Sequence, residues 1–257
     1  MNAARFRRKP GWPLPSCRYC IAATLLIYAG ALSGEKTRAV PDVPGVMRHG
    51  PRGSREIALT FDACSSRGRG KLDTAVAGVL LRTRTPATIF LGGKWALDVA
   101  RALRPLMSDS LIEFGNHAYM HPHLMRLSSD SIAREIRKAQ RVITGVIGRK
   151  PVLFRAPYGE VDARVAAVAE SLGLGVVQYD LPSGDPDSLI SEHAIVRYVS
   201  SMARGGSVIV MHINTRGWHT AEALPEIIAN LRKKGYSFVT VSRLIAARKL
   251  PARASPR

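Results

Sequence analysis

His117 and His121 stand four residues apart in the stretch Asn-His-Ala-Tyr-Met-His-Pro-His-Leu, directly after an apolar run. Imidazoles at that spacing on a helical turn point to one side, where both reach a single divalent cation. Other reactive side chains close other apolar runs: Asp62 in Thr-Phe-Asp, Arg155 in Phe-Arg-Ala-Pro-Tyr-Gly and His212 in Val-Met-His, while Asp185 follows a further run. A carboxylate base, a cation that keeps it ionised, an imidazole acid and a histidine pair for a metal are what hydrolysis of an amide or ester requires. A lone His-x-x-x-His is a weak signal; the ordered set is a strong one.

From Ile57 onward, short apolar runs alternate with longer amphipathic ones. Strands are predicted at Ile57–Asp62, Ala87–Leu91, Leu111–Asn116, Val152–Ala156, Gly175–Asp180, Ser207–His212 and Ser237–Val241. Helices are predicted at Leu72–Arg82, Trp95–Met107, Ser128–Ile147, Asp162–Leu172, Leu189–Ala203 and Ala221–Lys234. Ser128 offers an N-cap, and Gly173, Gly205 and Gly235 fall where helices should stop. Strands alternating with helices imply parallel βαβ units, and about seven of them favour a distorted (β/α)7-8 barrel over an open doubly wound sheet. No Gly-x-Gly-x-x-Gly turn follows the first strand, which argues against a dinucleotide site. In a parallel α/β fold the functional face lies at the C-terminal ends of the strands. Asp62, His117, Arg155, Asp185 and His212 all belong to that rim.

These segments, over roughly Arg55 to Leu244, resemble the polysaccharide deacetylase family, carbohydrate esterase family 4. The resemblance implies Asp62 as catalytic base, His117 and His121 as metal ligands, and Arg155 with Tyr158 as the Arg-x-x-Tyr-Gly segment. It implies Asp185 as the partner of His212, with Asp180 an alternative, and Val210-Met211-His212 as the segment supplying the acid. The backbone N–H of Tyr158 becomes an oxyanion donor, a contact worth roughly 3 kcal/mol. Val210 and Trp218 would form an apolar pocket for the acetyl methyl and the sugar face. The cofactor implied is a divalent metal, zinc foremost, with cobalt or nickel as alternatives. One departure stands out. The family's first motif carries a second Asp as metal ligand, and Ala63 stands there. Two histidines make a loose zinc site, since such sites usually take three protein ligands. A third ligand is open between Asp62, Cys64 and a carboxylate elsewhere such as Asp73.

The chain is long enough for one sizeable domain, and its 46% hydrophobic and 22% charged residues exclude a disordered polymer. Its net charge is +19. The first forty residues hold Arg5, Arg7, Arg8, Lys9, Arg18, Lys36 and Arg38 against Glu35 alone, yet the remainder is still basic. Such a surface favours polyanions, including an anionic cell-envelope surface. The basic stretch Arg5–Lys9 precedes an apolar run from Cys20 to Leu32 and then small residues, the pattern of a signal peptide. The run is shorter than the roughly 20 residues of a spanning helix, so residues 1–33 are expected to act as an export signal or, uncleaved, an anchor. Residues 34–55 read as a linker, 56–245 as the barrel and 246–257 as a basic tail. Of three cysteines, only Cys64 would survive cleavage, so no internal disulfide forms.

The expected function is removal of N-acetyl groups from amino sugars of an envelope or exported polysaccharide, in the periplasm or outside the cell. Peptidoglycan and chitooligosaccharide both present the required group, and no nucleic-acid partner is expected. An O-acetyl esterase on the same site and a catalytically silent glycan-binding barrel are the rival readings, the second motivated by Ala63.

Overall fold

The computed structural model describes residues 43–65 and 68–249; the expected signal or anchor lies outside the described residues. In chain order the elements are β1 (Glu56–Ala63), α1 (Thr74–Arg82), β2 (Ala87–Leu91), α2 (Gly93–Val99), α3 (Arg104–Met107), β3 (Ile112–Asn116), α4 (Ser129–Ile147), β4 (Leu153–Phe154), α5 (Ala163–Ser171), β5 (Gly175–Val176), β6 (Leu181–Pro182), α6 (Glu192–Met202), β7 (Val208–His212), α7 (Thr220–Lys233), β8 (Ser237–Phe238) and α8 (Val241–Lys249). All pairings are parallel. The order across the sheet is β5-β4-β3-β2-β1-β7-β6, with β8 pairing to the start of β1. The result is a curled parallel sheet lined by helices, a distorted (β/α) barrel.

β1 and β2 are buried along almost their whole length, as continuous apolar runs in a two-faced parallel sheet must be. α4 buries the stripe Ile132, Ile136, Ala139, Ile143 and Ile147 and leaves its charged face outside. Ser128 caps it at one end, and Gly148 at φ 73° closes it in the left-handed conformation.

The departures from the sequence reading have local causes. The predicted helix at Trp95–Met107 is two helices, because Pro105 has no N–H to continue the ladder past Val99. The predicted strands at Val152–Ala156, Gly175–Asp180 and Ser237–Val241 keep only two laddered residues each, and Leu181–Pro182 adds a strand. The linker assignment fails from Val43 onward. Val43 and Val46 pack in a cluster with Phe154 and Val176, and Met47 bridges Val177. The basic tail is also helical as far as Lys249, because Val241 and Leu244 bury themselves against Ala58 and Val208. Among the described residues, no helix is long and apolar enough to cross a membrane.

Candidate active site

Register sets the frame of the site. Asp62 and His212 are Cα partners in the β1–β7 ladder, so a carboxylate and an imidazole meet across neighbouring strand ends. On the other side, Asn116 at the end of β3 pairs with Phe154, which delivers His117 and Arg155 to the same rim.

Asp62 and Arg155 form one wall. Arg155 is fully buried, and its Nη1 donates 2.8 Å bonds to Asp62 Oδ1 and to Thr60 Oγ1 while Nη2 donates to the Gln178 carbonyl at 3.2 Å. Its guanidinium also lies 4.1 Å from the Phe90 ring centroid. Burial alone would raise the Asp62 pKa. The charge of Arg155, with smaller help from His117 and His212, overcomes that and holds it below the usual carboxylate range.

The histidine pair sits on a loop, which corrects the helical-turn expectation. Ala118 and His121 both have φ 59°, so the chain reverses through two left-handed residues. Asn116 Oδ1 accepts from the Ala118 N–H at 2.9 Å, and Glu135 Oε2 on α4 accepts from the N–H groups of Tyr119 and Met120 at 3.2 and 2.9 Å. The two imidazoles still meet, edge to face, with ring centroids 5.0 Å apart and planes inclined at 63°. His117 Nδ1 lies 2.8 Å from the Arg155 carbonyl, which can only accept, so Nδ1 carries the proton. Its unprotonated Nε2 is left 3.8 Å from Asp62 Oδ2. Burial is the main cause that pulls the His117 pKa down, and burial with the charge of His117 pushes that of His121 down to about 3. Both rings are neutral at ordinary pH, the state a metal ligand requires.

The opposite wall is His212 and Asp185. His212 Nδ1 donates to Asp185 Oδ1 at 2.9 Å, and the His212 backbone N–H donates to Oδ2 at 2.7 Å. The hydroxyls of Thr220 and Ser183 complete the carboxylate at 2.6 and 2.9 Å. Burial disfavours charge on His212, but the hydrogen bond and charge of Asp185 outweigh it and raise its pKa. Asp180 is excluded as the partner, since it is held by Ser207, the Val208 N–H and Arg52.

Asp62, His117, His121, His212 and Asp185 line one cavity of about 230 Å³, bounded also by Val210, Tyr158 and Cys64. Tyr158 lies on the turn Pro157–Gly159 at φ 59°, and its ring is packed between those of His121 and His123 at 4.3 and 4.0 Å. Trp218 borders an adjoining cavity together with Tyr158 and His121, so its expected place beside the acetyl methyl is corrected to the outer groove. Asp73 cannot be a ligand from its position as N-cap of α1, where it accepts from the N–H groups of Ala75 and Val76. Burial, then the charge of Asp62, pushes the Cys64 thiol up to about 11, and Asn214 donates to its sulfur. Ala63 is buried in the main core. Among the described residues, no group of three His, Cys, Asp or Glu is already arranged to hold a metal. The donor chemistry still suits one: two neutral imidazoles in edge contact, with an ionised carboxylate beside the free nitrogen of the first. Sequence reasoning missed Thr60, Asn116, Glu135, Ser183, Thr220 and Arg216, all of which shape this rim.

Residues 49–177 match the polysaccharide deacetylase family over half the chain. This chain belongs to the polysaccharide deacetylase family. Among its relatives is the bifunctional xylanase/xylan deacetylase of Cellvibrio japonicus, 31% identical over 70% of this chain and 26% of its own length. The peptidoglycan-N-acetylglucosamine deacetylase of Bacillus cereus is 29% identical over 78% of this chain and 72% of its own length. The chain thus spans about a quarter of the first relative and most of the second. The family 4 carbohydrate esterase of Streptomyces lividans, solved with acetate, superposes with a TM-score of 0.63 at 33% identity over 71% of this chain and 91% of that one. A family 4 pseudoenzyme from Bacillus anthracis shares the fold, with a TM-score of 0.70 at 24% identity over 81% of this chain and 72% of that one.

Proposed function

We propose that this polysaccharide deacetylase family member is a metal-dependent hydrolase that removes N-acetyl groups from amino sugars of an envelope or exported polysaccharide. The observation that carries the reading is the pairing of Asp62 with His212 across β1 and β7, one pKa pushed down and the other up, with His117 Nε2 3.8 Å from the same carboxylate. Titratable pairs driven apart in this way mark an acid and a base.

His117 Nε2 and His121 would hold the divalent cation, zinc foremost with cobalt or nickel as alternatives; of the two groups open as third ligand, the Cys64 thiol is held protonated by burial and Asp62 is needed as the base. When bound, such an ion polarises the acetyl oxygen and acidifies a water. Asp62 would take a proton from the attacking water as its oxygen adds to the acetyl carbon. Arg155 keeps Asp62 ionised and fixed in place throughout. The Tyr158 backbone N–H donates to the developing oxyanion, and Val210 borders the acetyl methyl. His212, protonated and held by Asp185, gives its proton to the amine as the C–N bond breaks, leaving acetate and a free amino sugar. Buffer then returns both groups to their starting states.

The acetate in the Streptomyces lividans structure and the peptidoglycan named for the Bacillus cereus relative support this substrate class. Arg5–Lys9 and the apolar run Cys20–Leu32 support export, with residues 1–33 as signal or anchor, and the +19 charge supports contact with an anionic envelope. The test is acetate release from N-acetylated glycans, with and without chelator. Release that stops with chelator and returns with zinc sustains the reading. Ala63 favours a second reading, a silent glycan-binding barrel; glycan binding with no stoichiometric metal and no acetate would establish it instead.

A further inference from the structure

The deacetylation cavity, at about 230 Å³, is smaller than the roughly 300–1,000 Å³ of pockets that enclose a whole ligand. It has room for the reacting end of a sugar, and the chain must continue elsewhere. A second cavity of about 520 Å³ adjoins it, and Tyr158, His121, Pro186 and Arg216 border both. Trp218 and Met120 line only the second cavity, each more than half exposed, and Tyr158 borders it with its ring already stacked on that of His123. Aromatic faces of this kind suit the apolar faces of sugar rings.

Arg216 stands at the junction. It is exposed, and among the described residues no hydrogen bond or ion pair engages its guanidinium. The acids bordering the two cavities are Asp62 and Asp185, both buried and already held by Arg155 and by His212 with Thr220. Among the described residues, no carboxylate in the groove therefore pairs with Arg216. Its side chain is not what shapes the loop. Thr215 at φ 63° turns the chain, the Trp218 N–H donates to the Asp185 carbonyl at 2.9 Å, and a side chain at Gly217 would collide with the Thr220 hydroxyl. The loop thus presents an unpaired, permanently charged planar fork between two aromatic surfaces, and that fork matches a carboxylate in two-point geometry.

We infer that Arg216, flanked by Trp218 and Tyr158, is a subsite for a carboxylate on the sugar next to the one being deacetylated, so that the substrate is an acidic glycan. The inference rests on the deacetylase reading above. The carboxylate could come from the lactyl ether of a muramic acid or from a uronic acid, and the chemistry at Arg216 is the same.

The experiment uses two matched probe pairs: the N-acetylglucosaminyl–N-acetylmuramic acid disaccharide, a hyaluronan tetrasaccharide, and the methyl ester of each. Calorimetric binding to the full chain should favour the free acid of at least one pair by about 10- to 100-fold, the range of a charge-assisted contact. Which pair shows it identifies the source. In Arg216→Gln that ratio should collapse towards one with an unchanged circular dichroism spectrum, and Arg216→Lys should recover part of it. A wild-type protein without preference in either pair, or a ratio that survives Arg216→Gln, overturns the subsite. Acetate release from the same probes is followed separately. Its absence beside a collapsing ratio would refute the deacetylase reading and leave the subsite standing.

Discussion

His117 and His212 each lie beside a buried carboxylate, yet their pKa values move in opposite directions. Asp62, the neighbour of His117, favours charge there from 3.8 Å but makes no hydrogen bond to the ring, and the charge of Arg155 opposes it. Burial then dominates and His117 stays neutral. Asp185 meets no arginine. Its charge is directed through a 2.9 Å hydrogen bond onto His212, with only hydroxyls and a backbone N–H as company, and the imidazolium wins over burial. A histidine beside a carboxylate therefore favours its neutral or its charged form according to whether that carboxylate bonds it directly.

The contrast can be broken from either wall. Asp62→Asn should lower kcat/KM for acetate release by roughly 10²–10⁴-fold, the range of a removed general base; a loss under tenfold would place the base elsewhere. His212→Ala should cost a similar factor in kcat while bound metal, measured by elemental analysis, is retained. Equal loss of metal would move His212 onto the ligand side. Arg155→Met leaves Asp62 buried without its cation, so urea unfolding should show about 3–5 kcal/mol lost, and the acidic limb of the activity profile should move to higher pH. Asp185→Asn should act on the other limb. Activity needs protonated His212, so it falls as pH rises through the raised pKa, and without Asp185 that fall should come at lower pH. The same signs govern stability. The His212 contribution is complete below its ordinary value of 6.5 and is lost as pH climbs through the folded value, whereas those of Asp62 and Asp185 are lost as pH falls through their depressed values. Thr220→Val is the mildest change, with roughly 1 kcal/mol expected from the lost hydroxyl bond and a small shift of the basic limb.

The strand ends were legible because apolar runs stop where reactive residues begin: Asp62, His117, Arg155 and His212 each follow such a run. The parallel barrel followed from the alternation alone. The conformation of the histidine loop was not legible, since Ala118 is not a residue that favours positive φ and the mild preference of histidine for it does not single out His121 among the three histidines of that stretch. Glu135 looks in sequence like one more solvated charge on α4, and only the folded chain reveals that it holds Tyr119 and Met120. The choice between Asp180 and Asp185 turned on contacts far along the chain: Asp180 is taken by Ser207, the Val208 N–H and Arg52, and Asp185 meets a ring 27 residues on. β4 and β5 were overextended because burial continues past the last laddered residue: Arg155, Ala156 and Val177 are as buried as the strands.

Since Asp62 and His212 are opposed only by the register of β1 against β7, a slip of one residue would turn one of them to the far face of the sheet. Those strands lie some 150 residues apart along the chain, so closing their ladder costs the loop entropy that slows long-range pairing. A refolding sample could hold most of its helices and yet hydrolyse nothing until that long-range ladder closes. Turnover would then serve as a clock for completion of the sheet.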